Sequence, residues 1–152
     1  MADVAELTPT RCRFDDRNMR WNKLGDFEGF VVSILFVDEA KHCVDFAVKF
    51  EPNTRAMLHR HLAHTHSFVI EGEHIIYEMD GSVREIRPVG HYAAGPGGDC
   101  HNEGGGPDGA VLFYSVRGTG DALFDMIDDD ENIIAKVHVG DFKAMLEAQQ
   151  RA

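Results

Sequence analysis

Cationic side chains are scarce in this chain of 152 residues: 15 Lys and Arg stand against 26 Asp and Glu, a formal net charge of −11. Such a surplus repels phosphate backbones and anionic headgroups over a Debye length of about 8–10 Å. Nucleic acid and membrane surfaces are therefore poor partners. Cysteine is also sparse, and Cys12, Cys43 and Cys100 form no CxxC pair. An odd, scattered set argues against a disulfide framework and for reduced thiols in a reducing compartment. Long apolar runs are missing, since the richest, FVVSILFV from Phe30 to Val37, is far short of the roughly 20 residues that cross a bilayer. The start, MADVAELTPT, is acidic and lacks the basic and apolar regions of a secretory signal. The expected location is the cytoplasm. Helical periodicity is nearly absent as well, which excludes a bundle or an alternating α/β fold.

What is present is short runs of Val, Ile, Phe and Tyr punctuated by Gly, Pro and Asp, the pattern of an all-β domain. Strands are expected over Gly29 to Asp38, His42 to Phe50, Ala56 to His61, Ser67 to Gly72 and Glu73 to Met79. Five more are expected over Ser82 to Arg87, His91 to Gly95, Ala110 to Gly118, Ala122 to Asp128 and Asn132 to Val139. Asp80-Gly81 suits a hairpin turn, because both residues tolerate positive φ. About ten short strands without intervening helices point to a closed or double-sheet barrel. The glycine-rich tract Gly95 to Gly109 reads as loop. A terminal helix is expected over Asp141 to Gln150, capped by Asp141, with Phe142, Met145 and Leu146 on one face. At this length the chain makes one domain. We read 1–28 as an N-terminal segment serving as an edge strand or dimer arm, 29–139 as the barrel and 140–152 as the helix.

Histidine is concentrated, with four of the nine falling between His59 and His66. On an extended strand His59 and His61 face the same side while Arg60 faces away. That makes a two-ligand half-site suited to Zn, Cu, Fe or Ni, which needs a third ligand from elsewhere. The segment GHYAAGPGGDCH supplies one in His101.

Together the two segments resemble the cupin superfamily. Gly90, Pro96, Gly98 and His101 fit the spacing of its second motif, and His59, His61 and Gly72 fit the first. The resemblance implies a single-domain jelly-roll barrel in which His59, His61 and His101 converge on one divalent metal. It departs from the pattern at Thr65, which occupies the place of the motif's glutamate ligand, and at Asn53, which replaces the motif's first glycine. A histidine triad without that carboxylate looks like the three-histidine dioxygenases that cleave carbon–carbon bonds, such as the acetylacetone-cleaving enzyme and 2,4'-dihydroxyacetophenone dioxygenase. In the latter group a His follows the vacated position, as His66 follows Thr65 here. The Asp-rich stretch from Met126 to Lys136 also resembles these proteins.

The resemblance implies a non-haem Fe(II) dioxygenase, with Zn, Ni, Mn or Cu as other metals the imidazoles accept. Its partners would be O₂ and a small diketone or hydroxyketone, and homo-oligomers are common among such barrels. Three neutral imidazoles would leave the full divalent charge on the metal and three coordination places open. Thr65 and His66 are candidates for a fourth ligand or an outer partner of the ligands. An O₂-independent cupin lyase or isomerase, and a metal- or ligand-sensing barrel, are the competing readings. His64, His74, His91 and His138 read as ordinary strand or turn histidines, Glu71 as a hairpin-rim carboxylate, and Cys100 as an inert thiol facing away from the metal. Phe50, Phe68, Tyr77, Tyr92, Phe113 and Tyr114 are candidates for an apolar substrate wall.

Overall fold

The computed structural model describes residues 13–56 and 58–152. The chain order is β1 (Phe30–Asp38), β2 (Cys43–Phe50), β3 (His59–His61), β4 (His64–Tyr77), β5 (Val83–Arg87), β6 (Tyr92–Gly95), β7 (Cys100–Arg117), β8 (Ala122–Ile127), β9 (Ile133–His138) and α1 (Val139–Arg151). Strand pairing runs β1-β2-β7-β3-β8-β9, with β4 joining β5, β6 and β7. Every pairing is antiparallel. β7 belongs to both halves of the barrel, meeting β3 at Cys100 and His101 and both β2 and β4 over Ala110 to Arg117.

Alternation builds the core. Val44, Phe46, Val48 and Phe50 of β2 face inward, opposite Phe30, Val32 and Ile34 of β1 and Leu112, Tyr114 and Val116 of β7. The helix closes one side by inserting Phe142, 2% exposed, against Phe46 and Phe124. Its Gln149 also pairs with the backbone N–H and C=O of Ile34 at 3.0 and 2.9 Å. Residues 13–28 cross the β1 side of the sheet, where Asn22 bridges Val32 and Lys49 lies over the Trp21 ring.

Five local expectations need correction. The strands expected at Ser67 to Gly72 and Glu73 to Met79 are one strand, β4, with bulges between Val69 and Glu71 and between Gly72 and His74. The bulges change which residues face inward, from Ser67 and Val69 to His74 and Ile76. The tract expected as loop is largely the first half of β7, where His101 and Glu103 face inward before Gly104 to Gly109 and Leu112, Tyr114 and Val116 after it. Glycine sits there because backbones press together: a Cβ on Gly104 would lie 1.9 Å from the Thr54 carbonyl, and one on Gly72 2.1 Å from that of Gly109. The helix begins at Val139, so Asp141 is its third residue rather than its cap, accepting from the His138 N–H at 2.7 Å. At the β4–β5 turn Gly81 alone adopts positive φ, +87°, while Asp80 accepts from the Ser82 N–H. The expected strand at Ala56 to His61 is regular only from His59, and residue 57 lies outside the described residues. Asn53 takes the left-handed conformation expected of the motif's glycine, φ +54°.

Gly104→Ala is expected to lower unfolding free energy by about 2–3 kcal/mol, because the methyl group has no room. Gly140→Ala, in open space in the first turn of α1, is expected to raise it by about 0.5–1 kcal/mol. Urea midpoints of the two variants check both signs.

Candidate metal centre

β3 lies between β7 and β8, and its register sets His59 directly opposite His101. His59, His61 and His101 are each 7–8% exposed. Their ring centroids form a nearly equilateral triangle, 4.8–4.9 Å on each side. His61 Nε2 stands 3.2 Å from His59 Nε2 and 3.3 Å from His101 Nε2. Nitrogens bound to a common ion at 2.0–2.1 Å are separated by about 2.8–3.0 Å in octahedral and about 3.3–3.4 Å in tetrahedral geometry, and the observed spacings lie between the two. The loop before β7 holds this arrangement, since the His61 N–H donates to the Asp99 carbonyl at 2.9 Å and the Gly98 N–H to the His61 carbonyl at 2.6 Å.

The far nitrogens decide which way the lone pairs point. His101 Nδ1 meets Asp99 Oδ2 at 2.6 Å, and His61 Nδ1 meets the Thr65 hydroxyl at 3.1 Å. Thr65 passes its own proton to the Ala63 carbonyl, so its oxygen accepts from His61. Both rings are thereby set with Nδ1 protonated and Nε2 bare, the tautomer of a metal ligand held by outer partners. Burial, then the neighbouring His59 and His101, push His61 from its ordinary 6.5 down to about 3. Burial opposes protonation of His101, but Glu103 and Asp99 hold its value above the ordinary one. Two bare lone pairs facing one another, as those of His61 Nε2 and His101 Nε2 do at 3.3 Å, repel unless a cation lies between them. The donor set fits such an ion, and the three-histidine cluster suggests divalent metal binding.

Thr65, in the place of the missing glutamate, thus orients His61. His66 stands outside the cluster: its ring lies 4.8 Å from that of His64, and its Nδ1 contacts the Tyr92 hydroxyl. Phe68 and Tyr92, 42% and 58% exposed, lie away from the interior, while Phe50 and Tyr114 are inside. Cys43 and Cys100 are free thiols, and burial raises the Cys100 pKa.

Sequence reasoning missed a second layer. Glu103 is buried beside the cluster, with Oε2 2.9 Å from His74 Nε2 and 2.9 Å from the Tyr114 hydroxyl. Its Oε1 lies 3.8 Å from His59 Nε2, and its Oε2 3.6 Å from His101 Nε2. Burial would raise this carboxyl, yet His101, His74 and His59 hold it well below the usual range. The expectation that nothing near the ion offsets its charge is therefore corrected. The signal was present in the alternation of His101 and Glu103, which puts both on one strand face, but the surrounding glycines disguised the strand. His74, read as an ordinary strand histidine, is 1% exposed and stacks on Phe50. Arg84 was missed too: it clamps Asp99 with two 3.0 Å bonds. A cavity of about 120 Å³ opens beside His61 and His101, lined also by Thr65, Ser67, Arg87, Glu103 and Tyr114.

Thr65→Val removes the acceptor for His61 Nδ1 and is expected to weaken Zn(II) binding about tenfold, with Thr65→Ser close to the parent; competition with a chromophoric chelator measures both. Between pH 6.5 and 3 the unfolded chain protonates His61 where the folded chain does not, so stability falls as pH drops through that window. The raised His101 works in the other sense, contributing stability below its unfolded value that is lost as pH rises through its folded value. In EDTA the denaturation midpoint is expected to fall between pH 6 and 4, with a shallower slope in His61→Asn.

No curated protein sequence matches the chain significantly. Its fold is similar to that of a Ralstonia eutropha JMP134 protein of unknown function with a cupin-like fold, at 20% identity and TM-score 0.73, over 95% of this chain and 89% of that one. An acetylacetone dioxygenase from Acinetobacter johnsonii aligns at 11% identity and TM-score 0.72, over 98% of each chain. The polyketide cyclase RemF from Streptomyces resistomycificus aligns at 17% identity and TM-score 0.56, over 71% of this chain and 80% of that one. At these identities the likeness is one of fold, the RmlC-like cupin barrel. Residues 9–119, most of the chain, match the family described as the ChrR Cupin-like domain, and the chain belongs to that family.

Proposed function

We propose that this protein is a metal-dependent dioxygenase, with Fe(II) at His59, His61 and His101, that cleaves a carbon–carbon bond in a small diketone or hydroxyketone. The observation that carries the reading is three imidazoles sharing one focus with a hydroxyl, Thr65, in the place of a fourth protein ligand. Three protein donors leave three places on a six-coordinate ion, enough for an oxygen-chelating substrate and dioxygen. When bound, the iron would supply polarisation of the chelate and activation of O₂, both atoms of which end in the products.

The chain's own residues do the rest. Thr65 and Asp99 hold the rings of His61 and His101 in their donor tautomers. The cavity of about 120 Å³ suits a substrate of few non-hydrogen atoms. Arg87 on its wall, bonded to Glu85 through Nε at 3.0 Å, gives one side a cationic group that favours an anionic or enolisable oxygen. The buried wall at Tyr114, 4% exposed, keeps bulk water from that side.

His101→Ala is expected to lose stoichiometric metal by elemental analysis of freshly purified protein, while the parent retains about one ion per chain. Fe(II)-loaded parent protein is expected to consume oxygen with a small β-diketone in an oxygen electrode and to fall silent under nitrogen. Turnover under nitrogen would establish the lyase or isomerase reading instead, and retained metal without turnover of any diketone the sensing one.

A further inference from the structure

The reading above leaves unused a carboxylate buried against the cluster. We propose that Glu103 supplies, from outside the coordination sphere, the negative charge that a glutamate at position 65 would otherwise place directly on the ion. The inference rests on the reading that His59, His61 and His101 hold a divalent cation.

The placement follows from the strand. Glu103 is two residues beyond His101 on β7, so the two side chains share a face. Its carboxylate spans the His59–His101 edge of the triangle, with Oε1 3.8 Å from one Nε2 and Oε2 3.6 Å from the other. It is also tethered. His74 Nε2 and the Tyr114 hydroxyl each reach Oε2 at 2.9 Å. Neither anchor is free to move, because His74 stacks on Phe50 at 5.7 Å and Tyr114 on Phe46 at 5.3 Å. Among the described residues, the group of donor atoms within 4.8 Å of one another comprises the three imidazoles without Glu103. The carboxylate, 3.6–3.8 Å from two of those nitrogens and bonded at 2.9 Å to His74 and Tyr114, is held outside that group.

A dication surrounded by neutral rings in a buried site is poorly compensated, and a nearby anion in the low-dielectric interior offsets much of that cost. Thr65 carries no charge. Glu103 leaves the net charge of the loaded site where a three-histidine, one-glutamate set would leave it, yet blocks no coordination place. Charge compensation and open coordination, which compete when the carboxylate is a ligand, are separated here onto different strands.

The test is Co(II) binding to EDTA-stripped, full-length protein, with affinity read by competition against a chromophoric chelator and coordination by the visible absorption bands. Glu103→Gln is expected to bind Co(II) at least tenfold more weakly, with the band shape of the parent. Glu103→Gln/Thr65→Glu is expected to recover the affinity but with changed bands, because the charge returns as a ligand. Should Glu103→Gln fail to fold, Glu103→Asp and Glu103→Asn carry the same comparison, being alike in shape and different in charge. Affinities of charged and neutral variants within twofold of each other would overturn the proposal. So would a band change on neutralising Glu103, which would make it a ligand. A parent protein that binds no Co(II) would instead overturn the metal reading itself.

Discussion

Backbone-to-backbone contact between glycines governs this barrel. Gly72 of β4, at φ +71°, lies so close to Gly109 of β7, at φ +76°, that a Cβ between them would meet a carbonyl at 2.1 Å. Each strand changes its inward-facing set across this crossing. On β4 the inward residues run Ser67 and Val69 before it and His74 and Ile76 after it; on β7 they run His101 and Glu103, then Leu112, Tyr114 and Val116. A strand of strict period 2 would have sent one half of each set to solvent. The bulges therefore decide that His101, the buried carboxylate and both of its anchors share one interior.

From that constraint the site assembles in layers. Three imidazoles meet at the focus, Thr65 and Asp99 fix the outer nitrogens of two of them, and Arg84 fixes Asp99. Behind them His74, Glu103 and Tyr114 form a buried hydrogen-bonded group. Within the group the Glu103 carboxylate is bonded on two sides, which fixes it, whereas His74 Nδ1 finds no partner among the described residues. That fixing matters beside imidazoles whose Nε2 atoms stand 3.2–3.3 Å from that of His61.

The outer surface tells a different story for the remaining histidines. His64 and His66 lie with their rings tilted 4.8 Å apart, and His66 contacts Tyr92, while His138 precedes the helix. The dense histidine stretch from His59 to His66 is thus two groups, split by the turn between β3 and β4. The first faces the focus. His66, although it follows the vacated glutamate position, belongs to the second.

By itself the sequence determined the barrel class and the three converging histidines. The alternation of β1, β2 and the second half of β7, the HxH pair and the glycine–proline spacing before His101 are local patterns, and local patterns survive in one dimension. It also determined the absence of an acid at position 65. Only the tertiary structure decided that Glu103 stands beside the cluster, that His74 and Tyr114 hold it, and that Arg84 secures Asp99. Those residues come from three strands and the loop before β7, and the bulges at the Gly72–Gly109 crossing change strand faces through a close approach whose partner lies 37 residues away. No periodicity in either segment alone encodes that contact, because it exists only once the two backbones touch.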